Sequence, residues 1–248
     1  MVNNITYGQA GQDSLIAQFF GAKGIVNGTF LDVGSLDGIR YSNTYLLEKN
    51  GWSGICVEMH PSYYEMLKEN RPNSICYSCG AADKDNVREE VSLNWRASLS
   101  TTVVNHEQWF SEADGYKDYY GDRNRKEING FLNGRHEVEL RTLNTILEEN
   151  REEFPKINFV TIDIDGSEDR ALPHCDLNTC SPDLLSLEWT VIGREACSNY
   201  ANHFGLYLAR EIGSDQFFVR TPEDRNLFNS FDVIGEPYHN HHPATGGE

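Results

Sequence analysis

The chain is 248 residues long and carries 38 Asp and Glu against 21 Lys and Arg, a net charge of −17 at neutral pH. With 39% hydrophobic and 11% aromatic residues and only 8 prolines, it has enough apolar surface to offset the ordering entropy of a core, which excludes general disorder and suits one large α/β domain. So acidic a field repels phosphate backbones, so nucleic acid is not expected as a partner, whereas neutral and cationic ligands fit.

Met1 to Ala10 shows neither the basic start nor the apolar run of a signal peptide, and no stretch approaches bilayer-spanning length. The chain reads as cytoplasmic. From Gly28 onward, strand-like apolar runs alternate with helical patterns, the signature of parallel βαβ units. Thr29 to Val33 reads as the first buried strand. Ser42 is placed to cap a helix that runs to about Asn50 and stops at Gly51. Ser53 to Glu58 is the second strand, and Pro61 stands at the first turn of a helix reaching about Asn70. Ser74 to Cys79 is the third strand.

From Asp83 to about Gly134 the alternation gives way to a polar segment bearing Trp95, Trp109, Phe110, Tyr116, Tyr119 and Tyr120. It reads as an insertion, over about 86–135, that is either a lid on a flat or ring-shaped ligand or a satellite cluster packed on the core. Order returns with a helix from Leu143 to Asn150, a fourth strand at Asn158 to Asp163 and a fifth at Leu184 to Trp189. Leu206 to Ile212 and Gln216 to Arg220 then form a hairpin about Gly213, Ser214 and Asp215. The tail from about 237, with His239, His241 and His242, reads as flexible. The expected architecture is a single domain, residues 1–248, with a mostly parallel sheet ending in an antiparallel hairpin. Cys76 and Cys79 form a CxxC without a second one to complete a zinc site, and Cys175 and Cys180 are wrongly spaced for one.

Two constellations carry chemistry. Phe30-Leu31-Asp32-Val33-Gly34-Ser35-Leu36-Asp37-Gly38 delivers an apolar strand into a turn with two glycines and two carboxylates. It lacks the third glycine of a dinucleotide fingerprint and the Lys-Ser/Thr of a phosphate loop, which disfavours pyrophosphate. Glu58, twenty residues past Gly38, ends the second strand, where a carboxylate accepts both hydroxyls of a ribose. A nucleoside without a phosphate tail fits, and S-adenosylmethionine is such a molecule. The second constellation, Asp163-Ile164-Asp165-Gly166-Ser167-Glu168-Asp169, leaves the fourth strand at the sheet edge where open α/β folds bind ligands. Asp163 and Asp165, read as one face of an extended strand end, join Glu188 as oxygen ligands suited to Mg²⁺ or Mn²⁺. Asp163 is the first candidate for base or metal ligand. His106 and His136, which border the insertion, stand behind it.

The order of these motifs resembles the FkbM family of S-adenosylmethionine-dependent methyltransferases from about Tyr7 to Thr190. The resemblance is carried by Tyr7-Gly8-Gln9 with Gln12-Asp13, by 28–38, by Ser42-Asn43-Thr44 and by Gly51 to Glu58. Gly80 to Asp85, Arg141-Thr142-Leu143, Val160 to Glu168 and Leu187-Glu188 continue it. It implies a class I methyltransferase, Rossmann-like fold: a seven-stranded sheet with helices on both faces and the cofactor across the carboxyl ends of the first strands. It further implies that Gly34 and Gly38 approach the methionine part, that Glu58 holds the ribose, and that Ala81, Ala82 and Asp83 flank the adenine. Gln12, Asp32, Ser35, Asp37, Ser42 and Asn43 complete the expected cofactor set. Two departures, Ile164-Asp165-Gly166 where Val-Glu-Gly is usual and the long stretch 86–135, leave substrate choice open. The expected reaction is O-methylation of a sugar hydroxyl in a glycan or glycosylated metabolite. The alternatives are a phenolic or other natural-product hydroxyl, a non-catalytic binding protein that keeps the fold, and a nicotinamide-dependent oxidoreductase, against which the missing glycine counts.

Overall fold

A computed structural model describes residues 5–93 and 134–238. In chain order the strands are β1 (Ile5–Thr6), β2 (Thr29–Val33), β3 (Ser53–Glu58), β4 (Ser74–Ser78), β5 (Gly80–Ala81), β6 (Val87–Leu93), β7 (Gly134–Arg141), β8 (Phe159–Ile162), β9 (Leu184–Glu188), β10 (Tyr207–Ile212), β11 (Asp215–Val219) and β12 (Glu236–Pro237). The helices are α1 (Gln12–Ala22), α2 (Tyr45–Lys49), α3 (Pro61–Asn70), α4 (Leu143–Glu149), α5 (Glu168–Ala171), α6 (Arg194–His203) and α7 (Pro222–Asn229). None of these helices is long and apolar enough to cross a membrane.

The main sheet has seven strands in the order β10-β11-β9-β8-β2-β3-β4. β4, β3, β2, β8 and β9 run parallel, while β11 is antiparallel to both β9 and β10. Alternate residues along each strand serve opposite faces, as the period of two demands. Leu31, Val33, Ile55, Val57, Val160, Ile162, Leu185 and Leu187 face a core closed by α4 and α6. Phe30, Cys56, Phe159, Leu184 and Phe217 face the other, closed by α1, α2 and α7. Helices thus cover both faces, and the class I methyltransferase architecture is present. From β2 the chain winds outward to β3 and β4, then returns to lay β8 and β9 on the other side. The reversal between β2 and β8 is the switch point at which such sheets bind ligands.

Several boundaries differ from expectation. The third strand stops at Ser78, and Gly80–Ala81 turns away to pair with β7 in a separate sheet ordered β5-β7-β6. The segment expected to be irregular from Asp83 therefore contains β6, and its far end is β7. The two pair antiparallel from Val87↔Leu140 to Leu93↔Gly134. Val91, Val138 and Leu140 bury against Met59, Tyr63 and Ala82, so the base of the insertion is a satellite cluster on the core. His106 and the aromatics from Trp95 to Tyr120 lie outside the described residues, as does the tail from 239. α2 begins at Tyr45 rather than beside Ser42, although the Ser42 hydroxyl still accepts the Tyr45 N–H at 3.0 Å. The hairpin closes over Gly213–Ser214 alone, which makes Asp215 the first residue of β11, across from Glu188. All six cysteines are free, and among the described residues the only group placed to hold a metal contains none of them.

Arg71 braces the connection from β2 to α2. It is 1% exposed; its Nε donates to Glu48 Oε2 at 2.6 Å, and its other nitrogens reach the Gly38 carbonyl at 3.1 Å and the Thr44 hydroxyl at 2.8 Å. Glu48 also accepts from the Ser74 hydroxyl and the Asn73 N–H. Removing one member of such a buried set leaves an uncompensated charge. Arg71→Met is therefore expected to lower the unfolding free energy by about 3–5 kcal/mol in urea titration, and an unchanged midpoint would contradict that.

Candidate active site

The β2 strand ends in a turn held both by its own groups and by the end of β3. The Gly34 and Ser35 N–H groups donate to the Val57 carbonyl at 2.9 and 3.2 Å, and the Ser35 hydroxyl donates to the Asp32 carbonyl at 2.8 Å. Gly34 has φ +90°, and a Cβ there would lie 1.8 Å from the Asp163 carbonyl oxygen, so the ends of β2 and β8 approach through a gap only glycine leaves open. Gly38, at φ +84°, turns the missing Cβ toward Arg71 and Leu67, which ties the turn to α3. The Asp37 carboxylate accepts the N–H groups of Ile39 and Arg40 and pairs with Arg40 Nε. Asp32 points away from the edge, to the Thr44 hydroxyl and Arg71, and burial pushes its carboxyl up despite that cation.

Glu58 closes β3 beside this turn. It is 2% exposed, and its two oxygens accept one backbone donor each, Leu36 N–H at 2.8 Å and His60 N–H at 2.7 Å. A carboxylate has about four acceptor sites, so it retains capacity for two further donors. Burial pushes its carboxyl up to about 7, against the two hydrogen bonds that lower it.

Across the switch point, the second constellation gathers as expected but by a different geometry. β8 ends at Ile162, and Asp165 takes a left-handed φ of +51°, so Asp163 and Asp165 do not share an extended strand face. The loop curls back because the buried Glu168 carboxylate accepts the N–H groups of Ile164 at 3.0 Å and Gly166 at 3.1 Å. That curl brings one carboxylate oxygen each from Asp163, Asp165 and Glu188 within 4.8 Å of one another. The Asp163 side chain is open to solvent. The protein packed around it, and next the charges of Glu188, Asp165 and Asp215, push its carboxyl well above the usual range.

Behind the cluster stands Asp215, whose Oδ2 accepts from Gln12 Nε2 at 2.9 Å and Asn43 Nδ2 at 3.4 Å. Gln12 and Asn43, expected among the cofactor residues, thus converge on a carboxylate beside Glu188. Asp13 accepts the Tyr7 N–H at 2.7 Å, and burial pushes its carboxyl up to about 6. Neither Asp215 nor Glu168 stood out as a positioning residue in the sequence. Glu168, four residues after Ile164, signals a loop tie only once the loop is seen to curl.

The remaining expected residues sit on the β3 side. Ala81 and Ala82 are buried at the junction with the small sheet, while Asp83 is exposed and paired with Arg170 at 2.9 Å, which lowers its carboxyl. The Ser42 hydroxyl accepts the Thr44 and Tyr45 N–H groups ahead of α2 and lies 3.4 Å from an Arg71 nitrogen. His136, on β7, has its ring 5.4 Å from that of His60, which accepts the Ser62 N–H at the start of α3. His136 and Asp163 therefore belong to opposite sides of β2.

The methyltransferase FkbM domain model matches residues 32–215. No curated protein matches the chain. Among solved structures, a putative RNA methyltransferase from Pyrococcus horikoshii is similar with a TM-score of 0.40 at 10% identity, over 86% of this chain and 82% of that one. A TehB-like SAM-dependent methyltransferase from Corynebacterium glutamicum gives 0.41 at 10% identity, over 86% and 89%.

Proposed function

The chain belongs to the FkbM methyltransferase family and is an S-adenosylmethionine-dependent methyltransferase; from that premise we propose that it methylates a hydroxyl oxygen on a sugar of a glycan or glycosylated metabolite. The observation that carries this reading is the division of the sheet edge. Glu58 stands on the β3 side of the glycine turn, where a ribose donates to it. Asp163, Asp165 and Glu188 stand on the β8–β9 side and offer acceptors to an incoming ligand. A sugar presents several hydroxyl donors to such a rim, where a phenol presents one. The six free cysteines fit a reducing, cytoplasmic setting.

The cofactor supplies an already activated methyl group. Gly34 to Gly38 and Glu58 would hold its adenosine and methionine parts, with Ala82 and Met59 offering apolar side chains to the base. With the cofactor bound, the methyl group would pass from its sulfur to the acceptor oxygen, and the Asp163 carboxylate would take the hydroxyl proton. No covalent help from the protein is needed, so the rate gain comes from alignment and from charge placed where the proton departs.

Ribose hydroxyls favour the ionised form of Glu58, whose proton the free protein keeps below about pH 7. Affinity for S-adenosylhomocysteine is therefore expected to be flat above about pH 7 and to fall toward tenfold per unit as the pH drops below it, with proton release seen by calorimetry in two buffers. Affinity independent of pH from about 5 to about 8 would contradict that role. The acceptor is tested by incubation with methyl-labelled S-adenosylmethionine and a panel of glycosides and their aglycones, followed by mass spectrometry. A gain of one methyl on sugar hydroxyls supports the reading; transfer confined to phenols, amines or carboxylates overturns it.

A further inference from the structure

We propose that Asp163, Asp165 and Glu188 form a binding site for one divalent metal ion of the hard, oxygen-preferring class, Mg²⁺ or Mn²⁺. Oxygens bound to one such ion at 2.0–2.6 Å stand no more than roughly 4 to 5 Å apart. The three carboxylate oxygens already lie within 4.8 Å of one another, so small side-chain rotations complete a shared shell. An all-carboxylate donor set selects hard cations over zinc or copper.

A second observation points to a missing ligand. Glu188 is 92% buried, being 8% exposed, and its Oε1 accepts from the Thr190 hydroxyl at 2.5 Å. Its Oε2 is buried and has no donor among the described residues. Among the described residues, no lysine or arginine forms an ion pair with Asp163 or Glu188. Asp215, opposite Glu188 in the β9–β11 register, adds negative charge and has its own Oδ2 taken by Gln12 and Asn43. Carboxylates gathered this closely repel one another, and a bound cation relieves that repulsion. The cluster is also fixed in place: Glu168 pins the loop on both sides of Asp165, as the outer partners of metal ligands do.

What the ion does rests on the methyl-transfer reading above, since it would hold the acceptor hydroxyl and ease loss of its proton. That the ion binds does not rest on it. The test uses the full chain, stripped with chelator, without cofactor or acceptor. Mn²⁺ is titrated under electron paramagnetic resonance, with Mg²⁺ as competitor. One saturable site is expected, with a dissociation constant below about 1 mM. Glu188→Gln and Asp165→Asn are each expected to weaken it at least tenfold, while the thermal midpoint does not fall and the affinity for S-adenosylhomocysteine is retained. Absence of a saturable site, or Mn²⁺ affinity unchanged in both variants, would overturn the proposal and assign the cluster a shared proton. A site lost together with the thermal midpoint in both variants also counts against it. Failure of the methylation panel with Mn²⁺ binding intact would overturn only the reading of the reaction.

Discussion

Asp163→Asn is expected to lower methyl transfer by about 10²–10⁴-fold, the range for loss of a group that handles the transferred proton, while S-adenosylhomocysteine still binds. The expectation comes from placement. Asp163 stands at the solvent-open end of β8, next to the switch point, with Glu188 and Asp165 beside it. The same variant removes one charge from a crowded cluster. In chelator its thermal midpoint should therefore rise rather than fall, as happens when function has been kept at a cost in stability. Activity lost together with stability would mark Asp163 as structural, and unchanged turnover would remove it from the mechanism.

The second large effect is expected at Gly34. A Cβ at this position lies 1.8 Å from the Asp163 carbonyl oxygen and 2.9 Å from its carbon, both backbone atoms that cannot rotate aside. The φ of +90° adds strain for any other residue. Gly34→Val should force β2 and β8 apart at their carboxyl ends, at a cost of about 4 kcal/mol or more, in the upper tail for single substitutions. It should abolish cofactor binding by displacing the turn that carries Ser35 and Leu36. Gly38→Ala is the comparison: its φ of +84° is strained too, but its Cβ would meet side-chain rather than backbone atoms, Arg71 Cγ at 2.7 Å and Leu67 Cδ1 at 2.8 Å. Urea unfolding and calorimetry with S-adenosylhomocysteine would compare the two. A Gly34 variant as stable as the Gly38 variant would contradict the account of the turn.

Much of the fold was legible because its strands are buried on both faces and short. Thr29–Val33 and Ser53–Glu58 are short, mostly apolar runs bounded by polar turns, with Asp32 the one charge inside them, and the structure begins and ends both where the pattern does. α1 had a signal too, in the spacing of Leu15, Ile16, Phe19 and Phe20, but it precedes Gly28, where the alternating reading starts. α7 likewise announces itself through Thr221 as cap, with Pro222 and two acidic residues in its first turn. α6 does not, since only Cys197 and Ala201 are buried on a largely polar helix. β6 was hidden because Val87-Arg88-Glu89-Glu90-Val91 carries three charges, and its pairing with β7 spans more than forty residues of sequence.

For the site, residue types at strand ends identified the carboxylates but not their partners. Asp32 has the sequence position of a ligand contact, yet the period of two turns it toward Thr44 and Arg71. Arg71 and Glu168 gave no local signal, because the groups they tie, Glu48 with Gly38 and Ile164 with Gly166, meet them only after folding. Asp215 was read as a turn residue, and one step of register makes it the neighbour of Glu188.

The central claim is that the edge formed by the 34–38 turn and Glu58 takes an adenosyl sulfonium ligand and not a dinucleotide. Isothermal titration of the full chain with S-adenosylhomocysteine, run beside NAD, tests it most directly. The account predicts one saturable site for S-adenosylhomocysteine that Glu58→Ala removes, and no heat with NAD. Equal binding of NAD, or S-adenosylhomocysteine binding that survives Glu58→Ala unchanged, would contradict it.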